Sequence, residues 1–202
     1  LLVGEDRQKL SKRHGATSLI EYKDLGFEPE ALRNYLALLG WSPESGVEIL
    51  SREDMIREFT LERVASHGAI FNMDKLKWMN QEYIKKMTPG QLLEKLDPWL
   101  KTVPGFPGTY SKASLERMVG LFRERLKTYD EIVSQVEWFF EEPREFEVKG
   151  LEKARKLPGV EAMLSDLVSR LGAVPTFDAV NLEPLLRGYA EEKGLKVGDV
   201  IH

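Results

Sequence analysis

Thr88-Pro89-Gly90-Gln91 is a helix stop and a helix start pressed into four residues. Thr88 offers a capping hydroxyl. Pro89 suits the first helical position, where its missing N–H would have no partner anyway. Gln91 stands three residues after the cap, where it can return a hydrogen bond. Upstream, Asn72 can cap a helix whose Leu76, Met79, Tyr83 and Met87 recur at helical spacing. Downstream, Ser111 opens a helix carrying Leu115, Met118, Val119, Phe122 and Leu126. Residues 87–90 are therefore a joint between helices, and they mark the strongest boundary in the chain.

The same grammar runs outward in both directions. Pro29 opens a helix with Leu32, Tyr35, Leu36 and Leu39 on its apolar side, and Gly40 closes it. Ser51 with Asp54, and Thr128 with Glu131, read as capping boxes ahead of apolar runs. A loop rich in Pro and Gly spans 103–109, and Pro143 breaks the helix that holds Ile132, Val133, Val136 and Phe140. Two further stripes, Met163-Leu164-Leu167-Leu171 and Leu185-Leu186-Tyr189, end at Gly172 and Gly194. No alternating run of convincing length occurs, apart from an apolar Leu1-Leu2-Val3 that reads as a strand end. The prediction is an all-α chain. Trp41, Trp99, Trp138, Phe139 and Phe140 are expected in its core.

With 202 residues, 42% hydrophobic and 31% charged, the chain can bury a sizeable core in one or two domains. It has no cysteine, which excludes a disulfide framework and thiolate metal sites, and three scattered histidines, which argue against a histidine metal cluster. No apolar run approaches a membrane span and no signal peptide is visible, so a cytoplasmic protein without membrane contact is expected. The net charge of −4 argues against wholesale nucleic-acid affinity, but the charge is uneven. Residues 1–15 carry four basic against two acidic groups, 107–130 carry five against three, and 131–147 carry one against six. An RNA partner would meet the local basic strips.

The chemistry-bearing motif is Lys9-Leu10-Ser11-Lys12-Arg13, followed by His14-Gly15. Two ammonium groups flank a serine in a short loop that can cradle a polyphosphate. KLSKRHGATS (9–18) resembles the lysine-serine-lysine signature loop of class I aminoacyl-tRNA synthetases in its glutamyl form. The resemblance continues through EALRNYLALLGWSP (30–43) and DKLKWMN (74–80) to LLRGYAEEKGLKVGDV (185–200), so it covers essentially the whole chain in the family's order. The sequence is similar to the C-terminal part of a bacterial-type glutamyl-tRNA synthetase. Since Leu1 opens it mid-loop and the last helical unit reads as incomplete, it is expected to be a segment of a longer protein.

The resemblance implies ATP, with Mg2+, as substrate of the parent enzyme. Lys9, Ser11 and Lys12 are the implied ATP contacts, with Lys12 stabilising charge on the departing pyrophosphate. The family's nucleotide-binding fold would lie upstream, and no Ser-His-Asp set or paired carboxylates replace it. The chain alone is therefore expected to be inactive and to hold no cofactor. The implied partners are tRNA, glutamate and ATP, and the implied state is a monomer. The family further implies segments at 1–15 (end of the catalytic domain), 16–89 (stem-contact connector), 90–147 (first anticodon-binding unit) and 148–202 (start of a second). The connector and the helical array are expected to pack separately.

Candidate tRNA contacts fall in two places. Lys75, Lys77, Trp78 and Asn80 occupy the first turns of the helix after Asn72, where basic and aromatic side chains can meet a phosphate backbone or a shallow RNA groove. Arg117, Arg123, Arg125 and Lys127 form the second group. Arg123 and Arg125 are two apart and point to different faces, so one can be structural while the other reaches a ligand. By position Arg125 matches the family arginine that senses the third anticodon base. The competing reading is a non-enzymatic helical RNA-binding module, which would not need the loop at 9–13. Relatives that modify a tRNA base with glutamate lack the helical part, and glutaminyl relatives carry β-barrels there.

Overall fold

The computed structural model describes residues 2–4, 8, 18–65, 68–142, 146, 148–157 and 159–201. Among them the chain is helical. The strands are Leu2–Val3 (β1) and Ala69–Ile70 (β2), which pair in parallel with Leu2 opposite Ala69 and Val3 opposite Ile70. The chain divides into two compact units, Leu1–Pro143 and Arg144–His202. No described helix is long and apolar enough to cross a membrane.

The first unit begins with α1 (Leu19–Asp24) and α2 (Pro29–Leu38), followed by α3 (Arg52–Glu58). A complete capping box between Ser18 and Glu21 starts α1. Ser51 caps α3 by accepting from the Asp54 N–H. After a single 3-10 turn at Leu61–Arg63 comes α4 (Met73–Lys85), capped by Asn72, whose side chain accepts from the Lys75 N–H at 2.7 Å. The Thr88–Gln91 box forms in both directions and launches α5 (Pro89–Leu100). Ser111 caps α6 (Lys112–Phe122), and α7 spans Ile132–Phe140.

Two buried apolar clusters hold this unit together. One gathers Tyr22, Phe27, Leu32, Tyr35, Phe71, Leu76 and Met79. The other is built on Leu92, Leu96 and Leu100 of α5 against α6, α7 and the turns between them, and includes Ile84. The helix α4 thus feeds both clusters. Leu76 and Met79 belong to the first and Ile84 to the second, all three fully buried. Helical periodicity explains this: 76, 79/80 and 84 lie along one face, and a 13-residue helix is about 20 Å long, enough to reach from one core to the next.

Two local expectations are corrected. The Thr128–Glu131 capping box does not form: α7 starts only at Ile132, so Thr128 lies too far upstream to cap it, and the Glu131 carboxylate accepts the Lys127 N–H at 2.9 Å. Trp138 is not core. It is 58% exposed, stacked on Phe139 at 3.9 Å, with its indole N–H donating to the Gln135 carbonyl. Ile132 and Val136 define the buried face of α7, and a residue two positions past Val136 turns to the opposite side. Trp41 is buried, and Trp99, Phe139 and Phe140 pack partly buried against the second cluster.

The second unit contains α8 (Val148–Arg155), α9 (Val160–Gly172), α10 (Ala179–Glu192) and α11 (Val197–Ile201). Asp178 caps α10 by accepting from the Asn181 N–H. Tyr189 is the plug of this unit: it is 2% exposed, and its hydroxyl donates to the Met163 carbonyl at 2.7 Å. Arg170 and Lys193 lie over its ring at 5.0 and 5.4 Å from the centroid.

Candidate nucleic-acid interface

Of the residues singled out by the sequence, Lys9, Ser11 and Lys12 lie outside the described residues, as do His14, His67 and His202. The remaining candidates sit on α4, on α6 (Arg117, whose Nη2 donates to the Ser114 hydroxyl at 3.4 Å) and on the turn between α6 and α7.

At the start of α4, Lys75 and Trp78 are one helical turn apart and share a face. Trp78 is 40% exposed, so its ring has a free side. Lys75 is not a bare cation, because its ammonium pairs with the Glu48 carboxylate. That pair uses one of the three ammonium donors, so a phosphate bound there would share Lys75 with Glu48 or exchange one charge-assisted contact for another. The Tyr35 hydroxyl braces the cap itself, donating to the Asn72 carbonyl at 3.0 Å and accepting the Asn72 N–H at 2.6 Å. This end of α4 is therefore held from the first apolar cluster.

The turn that follows α6 separates the two arginines by role. Arg123 faces inward. Its Nη1 donates to the Met87 carbonyl at 3.2 Å, and Nη2 meets Glu124 at 3.4 Å. Arg125 faces out. It is exposed, and no hydrogen bond or ion pair ties its guanidinium to another described residue. The opposition of faces read from the two-residue spacing is what the structure holds.

The backbone beneath Arg125 is held at many points. The N–H groups of Arg125 and Leu126 both donate to the Phe122 carbonyl, at 2.8 and 3.0 Å. Lys127 N–H goes to Glu131, and Tyr129 N–H donates to the Gly26 carbonyl at 3.0 Å. From α4, Gln81 Nε2 donates to the Glu124 carbonyl and Asn80 Nδ2 to the Lys127 carbonyl, both at 2.7 Å. The other end of the Asn80 amide accepts the Glu28 N–H at 2.8 Å.

Glu28 is the buried centre of this joint, 4% exposed. One carboxylate oxygen takes the Lys95 ammonium at 2.9 Å and the other takes the Tyr129 hydroxyl at 2.5 Å. Burial, reinforced by that hydrogen bond, pushes the Tyr129 hydroxyl well above the ordinary tyrosine range, so it remains a donor. Gly26 makes the approach possible. Its φ is +78°, and a Cβ there would lie 2.6 Å from the Tyr129 nitrogen. Segments 18–87 and 88–140 thus meet through a buried carboxylate, two amides and a glycine. The sequence did not disclose the roles of Glu28, Gln81 or Tyr129 in this joint, and it placed Asn80 among the residues facing RNA, whereas Asn80 is fully buried with both ends of its amide bonded to backbone. The one signal available was Asn80, an amide on the apolar stripe of α4.

No group of three or more His, Cys, Asp or Glu among the described residues could hold a metal ion. An exposed arginine thus stands on a pinned turn, and the helix that pins it begins with a basic and an aromatic side chain.

Comparisons with known proteins agree with this architecture. Residues 91–202 match the family model of an anticodon-binding domain, and residues 1–78 match that of the catalytic domain of class I tRNA synthetases for E and Q. A glutamate–tRNA ligase from Moorella thermoacetica is 38% identical over 205 residues, spanning 100% of this chain and 42% of the relative. One from Citrifermentans bemidjiense is 39% identical over 200 residues, spanning 99% and 42%. The chain therefore spans about two fifths of the length of the curated relatives it matches. The crystal structure of a glutamate tRNA ligase from Elizabethkingia meningosepticum superposes with a TM-score of 0.82 at 30% identity, covering 99% of this chain and 42% of that one. With more than half of its residues inside the matched model, the chain belongs to the anticodon-binding domain family.

Proposed function

We propose that this chain is the tRNA-recognising C-terminal part of a glutamate–tRNA ligase, which activates glutamate with ATP and transfers it to tRNA. The observation that carries the reading is the order of the matches. A synthetase catalytic-domain match over 1–78 runs into an anticodon-binding match over 91–202, with end-to-end similarity to glutamate–tRNA ligases. On this reading residues 1–15 close the catalytic domain, 16–89 contact the tRNA stem, 90–147 form the first anticodon-binding unit and 148–202 begin a second. The protein works in the cytoplasm as a monomer.

Each region has a distinct task. Lys9, Ser11 and Lys12 contact ATP, and the Lys12 ammonium offsets charge that grows on pyrophosphate as it leaves. Mg2+ would travel with the triphosphate, and no described residue is assigned to it. Lys75 and Trp78 meet the tRNA stem. Arg125 reads the last anticodon base through its planar fork of donors, while Arg123 anchors the turn.

The test uses the 202-residue chain itself. It should bind tRNA, with an affinity whose logarithm falls linearly with the logarithm of salt concentration, and form no aminoacyl-tRNA. Failure to bind tRNA at low salt, or charging by the chain alone, would overturn the reading. In the full-length protein, Lys12→Ala should depress ATP–pyrophosphate exchange measured with tRNA present far more than tRNA affinity. Exchange at the parent level would remove Lys12 from its role.

A further inference from the structure

The turn that presents Arg125 is tied to α4 by side chains, on both sides of the arginine. Gln81 takes the carbonyl one residue before it and Asn80 the carbonyl two residues after it. Adjacent positions on one helix diverge by about 100° around its axis. Asn80 and Gln81 therefore span a wedge of surface, and the turn lies across that wedge. Asn80 is fully buried and also holds the start of α2, so its loss strips a partner from the buried Glu28 N–H as well as from the partly buried Lys127 carbonyl. Gln81 is only partly buried, and the Glu124 carbonyl it holds belongs to an exposed residue that water can serve. A bond with so little to contribute to stability, placed beside the one outward arginine of the turn, has another use.

From this geometry we infer that Gln81 is a positioning residue for tRNA discrimination, with Asn80 as its buried counterpart. The pair sets the backbone at 124–127 so that the Arg125 guanidinium meets one base edge and not another. This rests on the reading of Arg125 given above. Two features of α4 support it. The helix is anchored in both apolar clusters, so it is a rigid reference, and it carries Lys75 and Trp78 on its first turns. The amide bonds then fix the distance between a stem contact and an anticodon contact on one rod. A recognition group is selective only when its own support is rigid, since a loosely held arginine can adapt to the wrong base.

Gln81→Met removes the donor while keeping length and volume. Binding by the 202-residue chain is compared for two tRNAs identical except that the anticodon ends in C or in G, in the parent, Gln81→Met, Arg125→Gln and the double variant. The ratio of the two affinities should fall roughly 3- to 10-fold in Gln81→Met, the range expected when one member of a coupled hydrogen-bond network is lost. The thermal midpoint should be unchanged, and Gln81→Met should add nothing in the Arg125→Gln background. A ratio that falls in Arg125→Gln but not in Gln81→Met would overturn the inference and leave the Arg125 reading intact. So would a Gln81→Met effect that persists without Arg125, or one matched by a drop in midpoint. A ratio unmoved by Arg125→Gln would overturn the Arg125 reading, and this inference with it.

Discussion

The two compact units are stabilised by different physics. Leu1–Pro143 buries two apolar clusters and sets a carboxylate, an amide and a tyrosine hydroxyl between them. In Arg144–His202, Tyr189 and Ala190 are the fully enclosed apolar residues among those described, while Leu164, Val168, Phe177 and Val180 stand more than half exposed. What surrounds its plug is charge: Arg170 grips Glu192 through both terminal nitrogens, at 2.7 and 2.9 Å, and Asp166 takes both Arg170 and Lys193 at 3.1 Å. Apolar burial scales with area, whereas exposed ion pairs contribute little each. The first unit should therefore be the more stable one. It is also the unit that holds Arg125 in place.

All four tryptophans lie in the first unit, so their fluorescence reports it alone, while far-ultraviolet circular dichroism reports both. In urea the dichroism signal should begin to fall before the fluorescence changes. Coincident transitions would mean that the units unfold together. Gly26→Ala should invert the order, and it is the largest effect expected. A Cβ in left-handed backbone, 2.6 Å from one backbone nitrogen and 2.8 Å from the next, should cost about 3 kcal/mol or more. The fluorescence transition should then move to lower urea with the second unit unaffected.

Tyr129→Phe sharpens the same point on a smaller scale. It removes the hydroxyl from a buried carboxylate oxygen and should destabilise the first unit by about 2 kcal/mol. Lys95→Met, which removes a half-exposed ammonium from the other oxygen of that buried carboxylate, should cost less, about 1 kcal/mol. If Lys95→Met proved the more damaging, the joint would be electrostatic rather than a matter of buried hydrogen bonding.

In the second unit the sign of the pH effect follows from its ion pairs. Hydrogen bonds from Arg170, and then from Lys193, hold Asp166 and Glu192 below the ordinary carboxylate range. The stability they contribute is present above the unfolded values, near about pH 4, and is lost as pH falls through the lower folded values. Lys193 is shifted up by Asp166 and Glu192, so its contribution holds below the ordinary lysine value and is lost as pH rises through the folded one. Arg170→Gln should flatten the acid-side loss in this unit, read by amide protection in α9 and α10. It should leave the first unit's protection unchanged. An acid limb as steep in the variant as in the parent would place the pH dependence elsewhere.

These contrasts also mark what the sequence could disclose. Helix stripes, the Thr88–Gln91 joint and the opposed faces of Arg123 and Arg125 are local, since period and capping chemistry act within a few residues. The Glu28–Tyr129 bond joins residues 101 apart in the chain, and nothing in either neighbourhood announces its partner. Glu28 precedes Pro29 and reads as an ordinary helix-start acid, yet it is the buried centre of the joint. Lys75 likewise has a partner that its own neighbourhood does not announce: Glu48, 27 residues earlier, pairs with its ammonium. Trp138 shows that an aromatic residue beside a core stripe need not belong to it. The separate packing of connector and array was expected from a boundary near residue 90. The joint built on Glu28, Asn80 and Gly26 ties 18–87 to 88–140 within one compact unit.

On the proposed reading, a rigidly held turn presents Arg125, and not Arg123, to tRNA. The reading is tested by charging efficiency in the full-length protein for two tRNAs that differ only in ending the anticodon with C or with G. A well-placed side chain and base discriminate by about 1–3 kcal/mol. Arg125→Gln should therefore narrow the ratio of kcat/KM values by most of that amount, while the thermal midpoint stays put. Arg123→Gln should instead lower the midpoint, because it strips the Met87 carbonyl of its donor. Equal ratios in the parent and Arg125→Gln, with the ratio lost in Arg123→Gln at an unchanged midpoint, would contradict the account.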